Sequence, residues 1–381
     1  MIKKKILFVL DTLQGSGAER SLVEIAIRFK KFTPVFVNIY EGDMLTPILK
    51  KNNIKFYSLN VPMERNFKIA AERLAKVYEI EKPDIVHSTL FKSDAVTRIL
   101  KSNYDIFLVN SFVNNNYSPL RYKELGYVQG LKLKLVQLYD AYTSRKVDFF
   151  ISNSETIKEA KSKGTLVSKD KIKVIYRGRN IDSFKNINTV HNSRLIEELG
   201  LRKKIVLLNV SRLIERKGQL DLINALPLVI NQYPTIQLLI AGHGVFQNKL
   251  ENQIEKLQIK THVRLLGRRQ DIPDLLEISD IFIFPSYFEG LPGALIEAML
   301  SQKIIVCSDI DENKECVDEN SAIFFQLGNS RDMADKINYA INNKKELKQL
   351  GRNAREQAII KFNIESISQE YESTYSSILS K

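Results

Sequence analysis

Cysteine is almost missing from this 381-residue chain. The two present, Cys307 and Cys316, can build neither a disulfide framework nor a cysteine metal cluster. Such sparing use fits a reducing compartment, so a cytoplasmic location is expected. Long apolar runs are also missing, and no stretch approaches the ~20 residues that a membrane-spanning helix needs. Ile6-Leu-Phe-Val-Leu10 behind Lys3-Lys-Lys5 has the flavour of a secretory signal. The run is too short for one and leads straight into Asp11, so a first β-strand is expected there. Neither low-complexity tracts nor short repeats occur, which argues against fibrous, solenoid and disordered classes. Nor do aromatic and basic residues interleave as single-stranded nucleic-acid binding requires, and no nucleic-acid partner is expected.

What is present is a soluble-type composition large enough for two domains, since single cores seldom grow beyond ~250–300 residues. The expected strand segments are short and apolar in both halves, separated by helical periodicity. In the first half they are Ile6–Leu10, Pro34–Ile39, Phe56–Leu59, Asp84–His87, Ile106–Asn110 and Phe149–Ile151. In the second they are Ile205–Val210, Ile236–Ala241, Val263–Leu266, Ile281–Phe284, Ile304–Cys307 and Ala322–Phe325. Glu19–Phe29 and Phe67–Ile80 carry apolar residues at helical spacing. Strands alternating with helices imply parallel sheets covered on both faces. The expected fold is therefore α/β, with two Rossmann-like domains facing across a cleft. Domains are expected at residues 1–178 and 193–362, with Arg177–Asn192, polar and aperiodic, as the linker. Ligands of such sheets sit beyond the carboxyl ends of the strands.

Charge is uneven. Residues 1–180 hold 32 Lys+Arg and 18 Asp+Glu, a net +14, whereas residues 181–381 hold 25 and 26, a net −1. The basic excess of the first half suggests an anionic partner there. Leu131-Lys-Leu-Lys-Leu-Val-Gln-Leu-Tyr-Asp-Ala-Tyr142 mixes apolar and basic residues near helical spacing, which makes an anionic membrane surface that partner. The competing reading of the same segment is an ordinary packed helix with solvated lysines.

Pro285-Ser-Tyr-Phe-Glu-Gly-Leu-Pro-Gly-Ala-Leu-Ile-Glu-Ala-Met-Leu300 is the most informative stretch. It follows a buried-strand pattern and contains Pro292 and Gly293, suited to a helix start and to close backbone approach. A helix N-terminus offers free N–H groups to phosphate. Glu289 ahead of it and Glu297 within it would lie on the order of 10 Å apart, about the span from the ribose to the hexose of a nucleotide sugar. Upstream, Ser211-Arg-Leu-Ile-Glu-Arg-Lys-Gly218 follows another strand and offers Arg212 and Lys217 as fixed cations for a departing diphosphate. Near the N-terminus, Gly15-Ser-Gly17 joins strand to helix. It fails as a dinucleotide fingerprint because Arg20 stands where a third glycine is needed.

Glu289 and Glu297, with seven residues between them, resemble the paired glutamates of retaining GT-B glycosyltransferases, most closely family 4. Arg212, Lys217 and the Gly15–Arg20 loop fit the same resemblance, which covers nearly the whole chain and is most specific from Val206 to Phe325. It implies sugar transfer from a nucleotide sugar to an acceptor such as a glycan or lipid-linked intermediate, with retained anomeric configuration. No metal or other cofactor is implied. Arg212, Lys217 and Glu289 take catalytic roles under the resemblance. Gly15, Gly17, Gly242, Arg268, Gly290, Leu291, Gly293, Ala294, Leu295 and Glu297 are expected to bind the donor. His87 and Asn114 are acceptor candidates. The resemblance also implies that a C-terminal helix, Asn363–Leu379, crosses back onto the first domain. Two departures stand out: Pro292 where many relatives have glycine, and no histidine in the 109–117 loop. Asp309-Ile-Asp311 imitates a metal-binding motif of a different architecture. Alternatives are a nucleotide-sugar epimerase, a sugar phosphorylase, or a catalytically silent sugar-nucleotide-binding or scaffold module.

Overall fold

The structure is a computed structural model that describes residues 3–62, 66–184 and 189–380, with side chains of 189–191 left aside. The chain divides into two compact units. The first comprises Met1–Gly178 with Ile364–Lys381, and the second Arg179–Asn363.

Seven parallel strands form the first unit's sheet: β1 (Lys4–Leu10), β2 (Phe32–Asn38), β3 (Lys55–Ser58), β4 (Ile85–Thr89), β5 (Leu108–Phe112), β6 (Phe149–Ser152) and β7 (Ile172–Val174). Their order is β3-β2-β1-β4-β5-β6-β7. Alternate side chains of β1 enter separate cores. Ile6, Phe8 and Leu10 pack on one face, and Leu7 and Val9 on the other. Burial on both faces is why this strand reads as an unbroken apolar run. Two expectations are adjusted. β7 was not anticipated, because a three-residue edge strand centred on Lys173 carries little pattern. β5 starts at Leu108 rather than Ile106, whose carbonyl is taken by the Lys101 ammonium at 2.6 Å.

The C-terminal helix, Ile364–Ile378, belongs to this unit. Ile364, Ile367, Tyr371, Tyr375 and Ile378 repeat at helical spacing and share a core with Ile6, Phe8 and Phe36. Each such side chain stabilises by roughly 1.5–3 kcal/mol when fully buried. Polar links fix the register. Buried Glu372 accepts from the backbone N–H groups of Lys30 (2.8 Å), Lys31 (2.5 Å) and Phe32 (3.2 Å), where the chain enters β2.

His87 corrects a sequence expectation. It was a candidate for touching the acceptor, yet it lies wholly inside the core. Its Nδ1 meets the Tyr375 hydroxyl at 2.6 Å and its Nε2 the Ser111 hydroxyl at 2.7 Å. The imidazole thus joins the sheet to the returning helix, and both nitrogens are occupied.

Six parallel strands form the second unit's sheet: β8 (Ile205–Val210), β9 (Ile236–Ala241), β10 (Val263–Gly267), β11 (Ile281–Phe284), β12 (Ile304–Ser308) and β13 (Ile323–Phe325). The order β10-β9-β8-β11-β12-β13 reverses direction between β8 and β11. The expected linker is partly structured, with a 3₁₀ turn at Ile181–Phe184 and a helix at Thr189–Glu198. Residues 185–188 of that linker lie outside the described residues. Leu195 and Leu199 give the helix a buried face that its polar first turn conceals.

Burial drives the His87 imidazole down to about 3. Unfolded His87 takes up a proton near pH 6.5, so stability is lost as pH falls through the window from about 6.5 to 3. Denaturant melts should show the wild type losing ~2 kcal/mol relative to His87→Gln between pH 7 and pH 5. A gap that does not change with pH would refute the burial-based account.

Candidate active site

In a doubly wound sheet the loops after the two strands flanking the reversal border the crevice in which ligands sit. In the second unit these are the loop after β8, carrying Ser211–Gly218, and the loop after β11, carrying Pro285–Pro292. Three ties join them. The Tyr287 N–H donates to the Arg216 carbonyl at 2.8 Å, and an Arg216 guanidinium N–H donates to the Phe288 carbonyl at 3.0 Å. Gly218, in the left-handed region at φ 69°, packs so tightly that a Cβ would overlap the Pro285 carbonyl oxygen. From behind, the Ser308 hydroxyl at the end of β12 donates to the Ser286 carbonyl at 2.6 Å. Asn313 Nδ2 holds that serine in turn, at 3.1 Å.

This scaffold brings Lys217 and Glu289, 72 residues apart in sequence, into a buried ion pair. Burial pushes the Glu289 carboxyl up, but the Lys217 ammonium together with neighbouring donors and the Arg216 charge holds the group below the ordinary carboxylate range. Burial pulls the Lys217 ammonium below the usual lysine range, against the raising effect of Glu289. Arg212 is exposed beside the pair, its carbonyl taken by Gln219 Nε2 at 2.9 Å. Of the expected catalytic trio, the structure therefore joins Lys217 and Glu289 directly. Arg212 adds a nearby positive charge that Lys217 feels.

The helix Gly293–Leu300 begins immediately after this loop, with Pro292 at its N-cap. Gly290, Gly293 and Ala294 are half-buried, while Leu291 and Leu295 are buried and serve the core. Glu297 is half-buried and meets a residue that the sequence reading did not single out. Arg179 Nε donates to Glu297 Oε1 at 2.9 Å. The same guanidinium lies over Gly293, where any Cβ would overlap its Nη2. The close approach that Gly293 permits is therefore used by Arg179. The backbone of Arg179 is anchored as well, its N–H donating to the Phe362 carbonyl at 2.8 Å. Sequence placed Arg179 in an aperiodic linker, and nothing there signals a partner 118 residues away.

Glu312 is a second residue missed. It is buried, accepts from the backbone of Glu289, and burial raises its carboxyl. Gly242 and Arg268 follow β9 and β10; the Gly242 N–H donates to the Gly267 carbonyl at 2.8 Å, and Arg268 is exposed. Gly15 and Gly17 belong to the first unit, after β1. That loop is stapled by Glu19, whose carboxylate accepts from Thr12 Oγ1 at 2.7 Å and from the Ser16 N–H at 2.9 Å. Asn114 is half-buried just past β5. The metal-like Asp309 instead accepts from the Leu327 N–H at 2.9 Å. Among the described residues no group of three His, Cys, Asp or Glu is placed to hold a metal ion.

Two doubly wound parallel sheets, the second with a cation–carboxylate pair and a helix start at its reversal point, define a protein of the GT-B class. The chain belongs to the glycosyltransferases: residues 15–183 match Glycosyltransferase Family 4, and residues 192–357 match Glycosyl transferases group 1. It is similar to an uncharacterised glycosyltransferase of Methanocaldococcus jannaschii, 27% identical over 81% of this chain and 75% of the relative. It is also similar to the UDP-Gal:alpha-D-GlcNAc-diphosphoundecaprenol alpha-1,3-galactosyltransferase of Escherichia coli, 29% identical over 76% of this chain and 74% of that enzyme. Among solved structures, Anabaena Alr3699/HepE in complex with UDP and glucose has the same fold. Its TM-score is 0.86 at 24% identity, covering 98% of this chain and 100% of that one.

Removing Lys217 leaves a buried carboxylate unpaired, which typically costs ~3–5 kcal/mol. Lys217→Met should therefore destabilise the chain by that order in denaturant melts, and adding Glu289→Gln should restore part of it. Strict additivity of the two substitutions would contradict the pairing.

Proposed function

We propose that the cluster at the β8–β11 reversal is the donor site for transfer of a sugar from a nucleoside diphosphate to an acceptor, with retention of anomeric configuration. The observation that carries this reading is the buried Lys217–Glu289 pair beside the start of the Gly293–Leu300 helix. When the sugar–phosphate bond breaks, negative charge collects on the departing diphosphate. The Arg212 guanidinium and Lys217 ammonium supply fixed positive charge there without reorganisation. Lys217 has three N–H donors, and the contact with Glu289 uses one. Losing one such cation costs ~3 kcal/mol of barrier, about a hundredfold in rate. Glu289 orients the sugar hydroxyls, and Glu297, steadied by Arg179, accepts from the ribose. Charge stabilisation of this kind requires no metal ion, and none is assigned.

Uridine is the first base to test, since the Escherichia coli relative is named for UDP-Gal and the Anabaena structure holds UDP. The acceptor is read as a lipid-linked or surface-polysaccharide intermediate. Relatives named for diphosphoundecaprenol-linked and capsular substrates support that class. The basic excess of residues 1–180 supports work at an anionic membrane, and the location read from it is peripheral, on the cytoplasmic side.

A thermal-shift series with UDP, GDP, ADP and CMP tests the donor site. Ligand at a hundred times its Kd adds ~2.7 kcal/mol, a shift of several degrees in a chain of this size. One diphosphate should stabilise the wild type, and Glu297→Ala should lose most of that response. A flat response to all four would sink the assignment. Saturating EDTA should leave transfer unchanged, and loss of activity that Mg²⁺ or Mn²⁺ restores would overturn the metal-free route.

A further inference from the structure

The long helix Pro119–Thr143 in the first unit is packed inside out. It is interrupted at Gly126, whose backbone leaves the helical region at φ 69° and ψ −176°. Beyond that break, Tyr127, Leu131, Leu135, Leu138 and Tyr142 recur at spacings of four, four, three and four. These spacings align them in one stripe ~22 Å long. All five are between 57% and 89% exposed. An amphipathic helix ordinarily buries such a stripe, and this one shows it to the outside.

Polar residues anchor its inner side. At 3.6 residues per turn, Asp140 lies roughly opposite Leu131, and it is buried. Its carboxylate accepts from Arg98 Nη1 at 2.6 Å and from the Tyr117 hydroxyl at 2.8 Å, with Lys161 Nζ at 3.8 Å. Gln137 Nε2 donates to the Gly164 carbonyl at 2.9 Å. Directional polar bonds therefore fasten the helix by its inner side and leave the apolar side for something else.

Charge identifies what that is. Lys132 and Lys134, both exposed, project on opposite flanks of the stripe. Around the Gly126 break, Tyr122, Tyr127 and Leu131 form a groove of about 700 Å³ with Lys123 and Lys134 among its walls. Leucines and tyrosines framed by lysines match an anionic lipid interface, where rings and aliphatic groups enter the acyl boundary and ammonium groups meet headgroup phosphates. A second copy of the chain fits less well, because self-pairing of the stripes brings like-charged lysine rows together. Among the described residues no helix is long and apolar enough to cross a membrane, so the contact is one of lying on the surface.

We infer that residues 127–142 form a docking surface for an anionic lipid bilayer. The surface rests on the lipid-linked acceptor reading for its purpose. It is tested by flotation of the full-length protein with vesicles of phosphatidylcholine alone and with 30% phosphatidylglycerol. The wild type should float with the anionic vesicles at low salt and be released as salt rises. Lys132→Gln and Lys134→Gln should each weaken binding about fivefold. Leu131→Ser with Leu135→Ser should weaken it more than tenfold. UDP-induced thermal shifts of these variants should match the wild type, which shows that they are folded and that a failed donor site is a separate outcome. Wild type that stays with the soluble fraction at low salt would overturn the inference. So would a wild-type dimer, detected by light scattering, that the leucine substitutions convert to monomer.

Discussion

A buried cation and a buried carboxylate tolerate one another's company only because each removes the other's desolvation cost. The Lys217–Glu289 pair is the point on which the chemistry proposed for the second unit turns. Neither residue could stay ionised alone in that position, and neither could reach the other without the reversal between β8 and β11. The backbone ties between the two loops, the tight approach at Gly218 and the support from Ser308 and Asn313 all hold this pair in register. Glu312 adds further charge beside Glu289, and Arg179 does the same for Glu297 from a segment remote in sequence. A charge held this firmly can act on a reacting group without first having to be arranged.

The first unit uses buried polarity in another way. Arg98 is almost fully buried and spans Asn110, Asp140 and Thr143. His87 bridges Ser111 and Tyr375, and Glu372 gathers three N–H groups at the start of β2. Each group fixes one orientation of a helix against the sheet, which apolar contacts alone leave degenerate. Removing such a partner leaves an unsatisfied group in low dielectric, so these contacts give specificity at the risk of large losses.

The strands were legible because burial on both faces leaves nothing but apolar residues, as in Ile6–Leu10 and Ile281–Phe284. The Lys217 and Glu289 loops were legible for a related reason: they directly follow two such runs. Other features depend on meetings that sequence does not advertise. Arg179 looks like linker until Glu297 is seen beside it. His87 at a strand end looks the same whether it faces ligand or core, and only the returning helix decides. The outward stripe beyond the Gly126 break goes with tertiary anchoring of Asp140 on the opposite side. The period alone was equally compatible with a packed helix.

The helix Ile364–Ile378 completes a core whose other members end near residue 178. During synthesis the second unit is therefore fully made before the first can close. At ~5–20 residues per second, the 185 residues between Gly178 and Ile364 take roughly ten to forty seconds. Throughout that interval the trough lined by Phe8, Phe36 and Phe32 stands uncovered, an apolar surface that a chaperone would recognise. A ribosome stalled late in the message would release a chain with one finished half and one sticky half.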